Sequence, residues 1–451
     1  MDDRIVLRRK AYDKLLCWKN ESNGHTAALV DGARRTGKSF IVKKFAKEQY
    51  RTCIFIDFNL VSEEVKDIFT YERHDLDVFF ARLSQFFDVK LHERESVLVF
   101  DEVQLFPIAR SLVKYIVEDG RYDCIETGSL ISISRNTKGI VIPSEEERIY
   151  MHPLDFEEFL WAMGNDGLMD LIKGSFEKME PLGAALHRKI MNRFREYVLV
   201  GGMPQSVLSY VDSLDFGKCD RVKRNILTVY RQDIIRFADG NSLKVESVFD
   251  EIAPQLSRKE KKFKVSTLGE NARNRDYDES YRWLVDGRIV NRCLNSTDPS
   301  VGLMMDADVL SQKLYMADTG LLVTQALADN LYTEDNIYRA IMFRNIGINE
   351  GMFAENVVAQ SLVSSGHNLF FYSRYERNGA EDTMEIDFLI RRDKKICPIE
   401  VKSSAYREYS SLNKFHKKFG KNIGTRYILH TKDLEVKGDV VCLPLYMASL
   451  L

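Results

Sequence analysis

Gly32-Ala33-Arg34-Arg35-Thr36-Gly37-Lys38-Ser39 decides how this chain is read. Two glycines with four residues between them, followed by Lys-Ser, make the phosphate-cradling loop between a strand and a helix. The flanks agree: the apolar run Ala27-Ala28-Leu29-Val30 precedes it as a buried strand, and Phe40 to Tyr50 follows with helical spacing. Each residue type has a task there. The glycines let backbone N–H groups turn toward phosphate oxygens, and the new helix presents its positive end to them. Lys38 reaches the β- and γ-phosphates, and Ser39 can ligand Mg²⁺. The stretch from Gly32 to Phe40 is therefore the expected ATP-binding segment, with Mg²⁺ as the accompanying cation.

A second stretch completes the expectation. Val97-Leu98-Val99-Phe100-Asp101-Glu102 is an apolar run ending in two carboxylates. Asp101 is placed to hold the metal and Glu102 to act as general base toward the attacking water. A core strand ending in a solvated acidic turn is the alternative, and the phosphate loop upstream argues against it. A third strand, Cys124-Ile125-Glu126-Thr127, runs into Gly128-Ser129. Ser129 is a candidate contact to the γ-phosphate or lytic water; a plain strand-ending turn is the other reading.

A length of 451 residues allows about three domains, and 45% hydrophobic residues can build their cores. The net charge of −2 gives no global attraction to nucleic acid, so any DNA contact has to be local. Cysteines 17, 53, 124, 219, 293, 397 and 442 are scattered and never spaced as CxxC, which excludes a zinc knuckle and points to a reducing cytoplasm. The amino terminus shows no apolar signal region, and no stretch reaches membrane-spanning length. A cytoplasmic protein without membrane contact is expected.

Alternating strands and helices fill residues 1–165, the nucleotide domain. Residues 166–240 read as a mostly helical lid, broken at Gly201-Gly202-Met203-Pro204. Residues 241–305 resemble a winged helix: helices at Val245–Leu256 and Tyr277–Leu284, then β-like pieces at Ile289–Leu294 and Leu303–Met305. Arg258, Lys259, Lys261, Lys262 and Lys264 form a basic cluster there, suited either to DNA phosphates or to a solvated helix end.

Residues 306–451 hold a second set of chemical groups. Glu385-Ile386-Asp387-Phe388-Leu389-Ile390 alternates as a half-buried strand, Arg391 to Lys395 turns, and Ile396 to Lys402 returns. Glu400 and Lys402 share a face, and the turn brings Asp387 opposite them. Two carboxylates and a lysine converging on one spot suit metal-assisted phosphodiester cleavage, with Glu355 adding a carboxylate from a helix. The plainer reading is a polar hairpin with a surface ion pair.

Together these motifs resemble a prokaryotic family of AAA-type ATPases joined to a carboxy-terminal restriction-endonuclease-like domain of unassigned function. The resemblance rests on Arg8-Arg9 with Tyr12 and Leu15, on Gly32 to Ser39, Asp101-Glu102-Val103-Gln104, Thr127-Gly128-Ser129 and Pro153-Leu154 with Phe156-Glu157-Glu158-Phe159. It continues through Gly201 to Pro204, Lys313-Leu314-Tyr315 with Asp318 to Leu321, Glu355-Asn356, Glu385-Ile386-Asp387 and Ile399-Glu400-Val401-Lys402. It implies an α/β chain: a P-loop ATPase core, helical lid, winged helix and nuclease-type α/β domain. It also implies that Pro204 lies against the adenine, although a helix break explains that proline equally. Arg135 and Arg148 are candidate arginine fingers toward a second copy in a homo-oligomer; Glu147-Arg148 replaces the Gly-Arg pair common in the family. The function implied is an ATP-driven switch coupled to a DNA-directed nuclease-like domain. The alternatives are an ATP-regulated DNA- or protein-binding adaptor with an idle nuclease fold, and a plain NTPase of a signalling assembly.

Overall fold

The computed structural model describes residues 6–128, 144–238, 240–260, 262–300, 302–342, 350–374, 384–403 and 409–451. It divides into two compact units, Met1–His152 with Asp286–Arg288, and Pro153–Val285 with Ile289–Leu451.

In the first unit β1 (Ala27–Asp31), β2 (Thr52–Asp57), β3 (Ser96–Asp101), β4 (Asp123–Gly128) and β5 (Glu146–Tyr150) form a parallel sheet ordered β2-β3-β4-β1-β5. The β1 strand is buried on both faces, which is why it reads as a continuous apolar run. Ala27 and Leu29 pack with Phe69, Phe79, Phe80 and Leu112 of the helices Glu63–Tyr71, Leu76–Phe87 and Pro107–Asp119. Ala28 and Val30 pack with Leu15, Trp18, Ile41 and Phe45 of the helices Lys10–Ser22 and Lys38–Gln49. Placing β4 between β1 and β3 sets its last residues beside both the phosphate loop and the Asp101 carboxylate, at the carboxyl ends of the strands where α/β sheets bind ligands.

The second unit begins with helices. Asp155 caps Phe156–Ala162 through a reciprocal box, Glu158 N to Asp155 Oδ1 at 2.9 Å and Asp155 N to Glu158 Oε2 at 3.2 Å. Helices Gly167–Lys178, Ala184–Val200, Pro204–Ser213, Phe216–Phe237, Ser242–Ser257 and Asp278–Asp286 follow. Then come β6 (Val290–Ser296), β7 (Ala307–Met316), β8 (Leu369–Arg374), β9 (Met384–Arg392), β10 (Lys395–Val401), β11 (Arg426–His430), β12 (Glu435–Lys437) and β13 (Val440–Pro444). They make one mixed sheet ordered β12-β13-β11-β10-β9-β8-β6-β7. Helix Glu350–Ser364 packs on β7 and β10, and Leu412 and Phe415 of helix Ser410–Phe419 pack on Ile386, Leu389, Ile396 and Ile428.

Two expectations change here. Leu303–Met305 form a turn, closed by Met305 N to Gly302 O at 2.8 Å, and the strand starts only at Ala307. The hairpin read as a wing is instead built into the large sheet, since β6 pairs with β7 on one side and with β8 on the other.

The expected Gly201-to-Pro204 break is the tightest knot of this unit. A Cβ on Gly202 would lie 2.1 Å from Leu154 O, and one on Gly320 would lie 2.6 Å from Gly201 Cα. Buried Asp318 ties the two segments, accepting from Gly202 N at 2.5 Å and Leu321 N at 2.9 Å. Only hydrogen-atom side chains permit this approach.

Candidate functional site

The phosphate loop turns through two left-handed residues, Arg35 (φ 70°) and Gly37 (φ 93°), before the helix starts at Lys38. Gly32 has no room for a side chain, because a Cβ there would meet Met151 O at 2.2 Å. Thr36 Oγ1 donates to Ala33 O at 2.8 Å, closing the loop on itself. Lys38 is buried and its Nζ donates to Gly32 O (2.9 Å) and Ala33 O (3.0 Å), inside the loop it is expected to serve. Burial pushes its ammonium down from the ordinary lysine range, with the charges of Glu102, Asp31 and Asp101 opposing. The sequence reading gave no structural role to Arg9, which is buried and clamps the loop from outside. One guanidinium nitrogen donates to Thr36 O at 2.8 Å and another to His152 O at 2.6 Å.

Opposite the loop, Asp101 Oδ1 accepts from Ser39 Oγ at 2.7 Å and from Thr127 Oγ1. Burial pushes the Asp101 carboxyl up, and these two hydroxyls pull it back. Thr127 Oγ1 also accepts from Glu102 N at 3.2 Å. Glu102 itself is left-handed (φ 54°), and Gln104 Nε2 donates to its Oε2. The loop residues Gly32 to Ser39, Asp101 and Glu102 thus stand at one place, joined by Thr127, to which the sequence reading gave no role beyond its place in the Thr127-Gly128-Ser129 motif. Thr127 pairs in register with Val30 near the end of the loop's own strand, a placement that only the strand order reveals. Phe40 is exposed, 54%, on the first turn of the helix. Ser129 and Arg135 lie outside the described residues. Arg148 is on edge strand β5, its Nε 3.3 Å from Glu146 and its side chain 36% exposed. Pro204 opens helix Pro204–Ser213 in the second unit, next to the glycine knot.

The carboxy-terminal groups are arranged differently from the expectation. Phe370 pairs with Leu389 and Tyr372 with Ile386, so Asp387 and Phe388 together face Phe371 alone: β9 carries a bulge. The bulge turns Asp387 toward Glu355 and Lys313. Asp387 Oδ2 accepts from Val401 N at 2.8 Å. Burial, then the Glu355 charge, push its carboxyl up to about 7. Lys313 Nζ lies 3.0 Å from Glu355 Oε1 and 3.1 Å from Glu385 Oε1, and Tyr315 Oη also donates to Glu355. Glu400 is on the other face. It is in register with Ile428 of the core beneath helix Ser410–Phe419, and it accepts from Lys402 and Ser411. Lys402 Nζ is 3.2 Å from Glu400 Oε2, so those two share a side, but Asp387 and Glu400 do not converge. A cavity of about 340 Å³ opens over the Lys313 cluster, lined also by Lys259, Glu260 and Lys402. Among the described residues no three His, Cys, Asp or Glu side chains stand together as a metal-holding group.

Residues 24–160 match the AAA domain. Residues 191–331 and 350–447 match two families described as "Domain of unknown function", DUF8612 and DUF4143. No curated protein matches the chain. Among solved structures that match, the structure of C. elegans PCH-2 aligns with TM-score 0.27 and 12% identity over 48% of this chain. The alignment covers 66% of that chain, just under two thirds of its length, and at that TM-score it says nothing of the fold. The AAA-type match spans all five strands of the parallel sheet and ends beyond β5.

In the basic cluster, Arg258 is paired with Glu251 at 3.0 Å and Lys264 with Glu260 at 2.6 Å, while Lys261 lies outside the described residues. Among the described residues no helix is long and apolar enough to cross a membrane.

Proposed function

We propose that this protein is an ATP-hydrolysing switch, and that its carboxy-terminal domain works as an adaptor rather than as a metal-dependent nuclease. The observation that carries the first part is the meeting of Ser39, Asp101 and Thr127 at the mouth of the phosphate loop, with Glu102 one residue on.

The chemistry follows from what each group holds. Lys38 now donates to two neutral carbonyls, and exchanging them for β/γ-phosphate oxygens turns these into charge-assisted bonds of a buried ammonium. The loop amides and helix start take the remaining phosphate oxygens. The Ser39 hydroxyl and the Asp101 carboxylate, 2.7 Å apart and in need of a compensating charge, fit Mg²⁺ entering with ATP. When bound, that ion supplies neutralisation of the phosphate charge. Glu102 takes the proton of the attacking water, with Thr127 fixing its backbone and Gln104 its carboxylate. Arg148, on an exposed edge strand, is the residue available to reach the nucleotide of a second copy, so a homo-oligomer belongs to this reading.

The adaptor reading rests on Asp387 and Glu400 facing opposite sides of the sheet and on Lys313 standing among the remaining carboxylates. DNA is the less favoured partner, since a net charge of −2 gives no global attraction to it and Arg258 and Lys264 of the basic cluster have carboxylate partners nearby. The test is Glu102→Gln: ATP binding stays within a few-fold while turnover falls by roughly 100-fold or more. Normal turnover in that variant rules Glu102 out as the base.

A further inference from the structure

We infer that Lys313 is the built-in cation of the carboxy-terminal carboxylate cluster, and that it holds Glu355, Glu385 and Asp387 in an arrangement closed to divalent metal ions. This deepens the adaptor reading and rests on it.

A restriction-endonuclease-like domain implies a metal ion held by carboxylates, and the residues present do not fit one. The Lys313 Nζ lies at nearly equal distance, 3.0 and 3.1 Å, from one oxygen each of Glu355 and Glu385, where a bridging cation belongs. The third carboxylate is committed as well, with Asp387 Oδ2 accepting the Val401 N–H at 2.8 Å. Lys313 is itself buried and sits on the ten-residue strand β7, so its stem is fixed by the sheet. Tyr315, two residues along on the same face, donates to the same Glu355 oxygen and occupies another of its lone pairs.

Access is not what excludes the metal. The 340 Å³ cavity reaches Lys313, Glu355, Glu385 and Asp387, so hydrated ions can arrive. What meets them is an ammonium ion already in place. Against the downward pull of burial, the charges of Glu355, Asp387 and Glu385 push Lys313 well above the ordinary lysine range, so it stays charged at any working pH. A dication bound beside it would face like-charge repulsion at contact distance in a partly dry site.

The test titrates nucleotide-free, full-length protein with Mn²⁺, following free Mn²⁺ by its electron paramagnetic resonance signal. Wild type is expected to show no site dependent on Asp387 up to about millimolar Mn²⁺. Lys313→Met, which keeps the stem and removes the charge, is expected to gain one site, tighter by more than roughly 100-fold. Lys313→Arg gains none, and Lys313→Met with Asp387→Asn loses it again. If the Met variant does not fold, Lys313→Met with Glu385→Gln removes one charge of each sign and is expected to bind Mn²⁺ through Glu355 and Asp387. A wild-type site that Asp387→Asn abolishes overturns the inference, as does a folded charge-removing variant that gains nothing. Such a failure revives metal-dependent cleavage and leaves the ATPase reading untouched, because turnover at Glu102 is measured separately.

Discussion

Thr127 shows how much a single hydroxyl can settle. It donates to the Asp101 carboxylate and accepts the Glu102 N–H, tying the acid proposed to hold the metal to the proposed base from a neighbouring strand. Thr127→Val keeps the shape and deletes both bonds. Turnover is expected to fall roughly tenfold or more with ATP affinity nearly unchanged, and stability to drop by about 1–3 kcal/mol. An unchanged kcat would remove Thr127 from the machinery. The meeting of the loop, Asp101 and Glu102 was legible in the sequence because each closes or follows an apolar strand of one parallel sheet. The sequence drew attention to Ser129 instead of Thr127 because a polar residue beyond a strand is visible in one dimension. A polar residue inside a strand becomes meaningful only when β4 lies between β1 and β3.

Elements tell the same lesson in the carboxy-terminal sheet. Glu385 to Phe388 alternates polar and apolar before the run Leu389-Ile390, and the turn at Asp393 and Lys394 is where the sequence puts it, with Lys395 opposite Arg392. From that alternation Asp387 falls beside Glu400. The bulge at Asp387 and Phe388 inserts one residue into the count and re-aims Asp387, and a period-two argument cannot survive such an insertion. The glycine knot is the opposite case. Gly201-Gly202 was legible as punctuation, but its function in packing depends on Leu154 and Asp318, far away in the chain. Gly202→Ala puts a methyl 2.1 Å from a carbonyl oxygen and is expected to cost on the order of 2 kcal/mol, read as a lowered midpoint in urea unfolding. A midpoint equal to wild type would show that the knot yields easily.

At the scale of the molecule, legibility tracked the sequence distance over which contacts form. The parallel sheet is assembled within residues 27–150, so β1, β3 and β4, which carry apolar runs, could be read directly, whereas β5 opens on Glu146-Glu147-Arg148 and shows no such run. The eight-stranded sheet joins β6 and β7 to strands beginning at Leu369, and no local pattern announces that pairing. The piece expected as a wing was absorbed for that reason. The claim on which the whole account stands is nucleotide capture by the loop at Gly32 to Ser39, and calorimetric titration of ATP with Mg²⁺ into wild type and Lys38→Ala tests it most directly. The account predicts one site per chain in wild type and an affinity weaker by roughly 10- to 100-fold in the variant. Equal affinity in the two proteins, or no heat of binding in wild type, would contradict it.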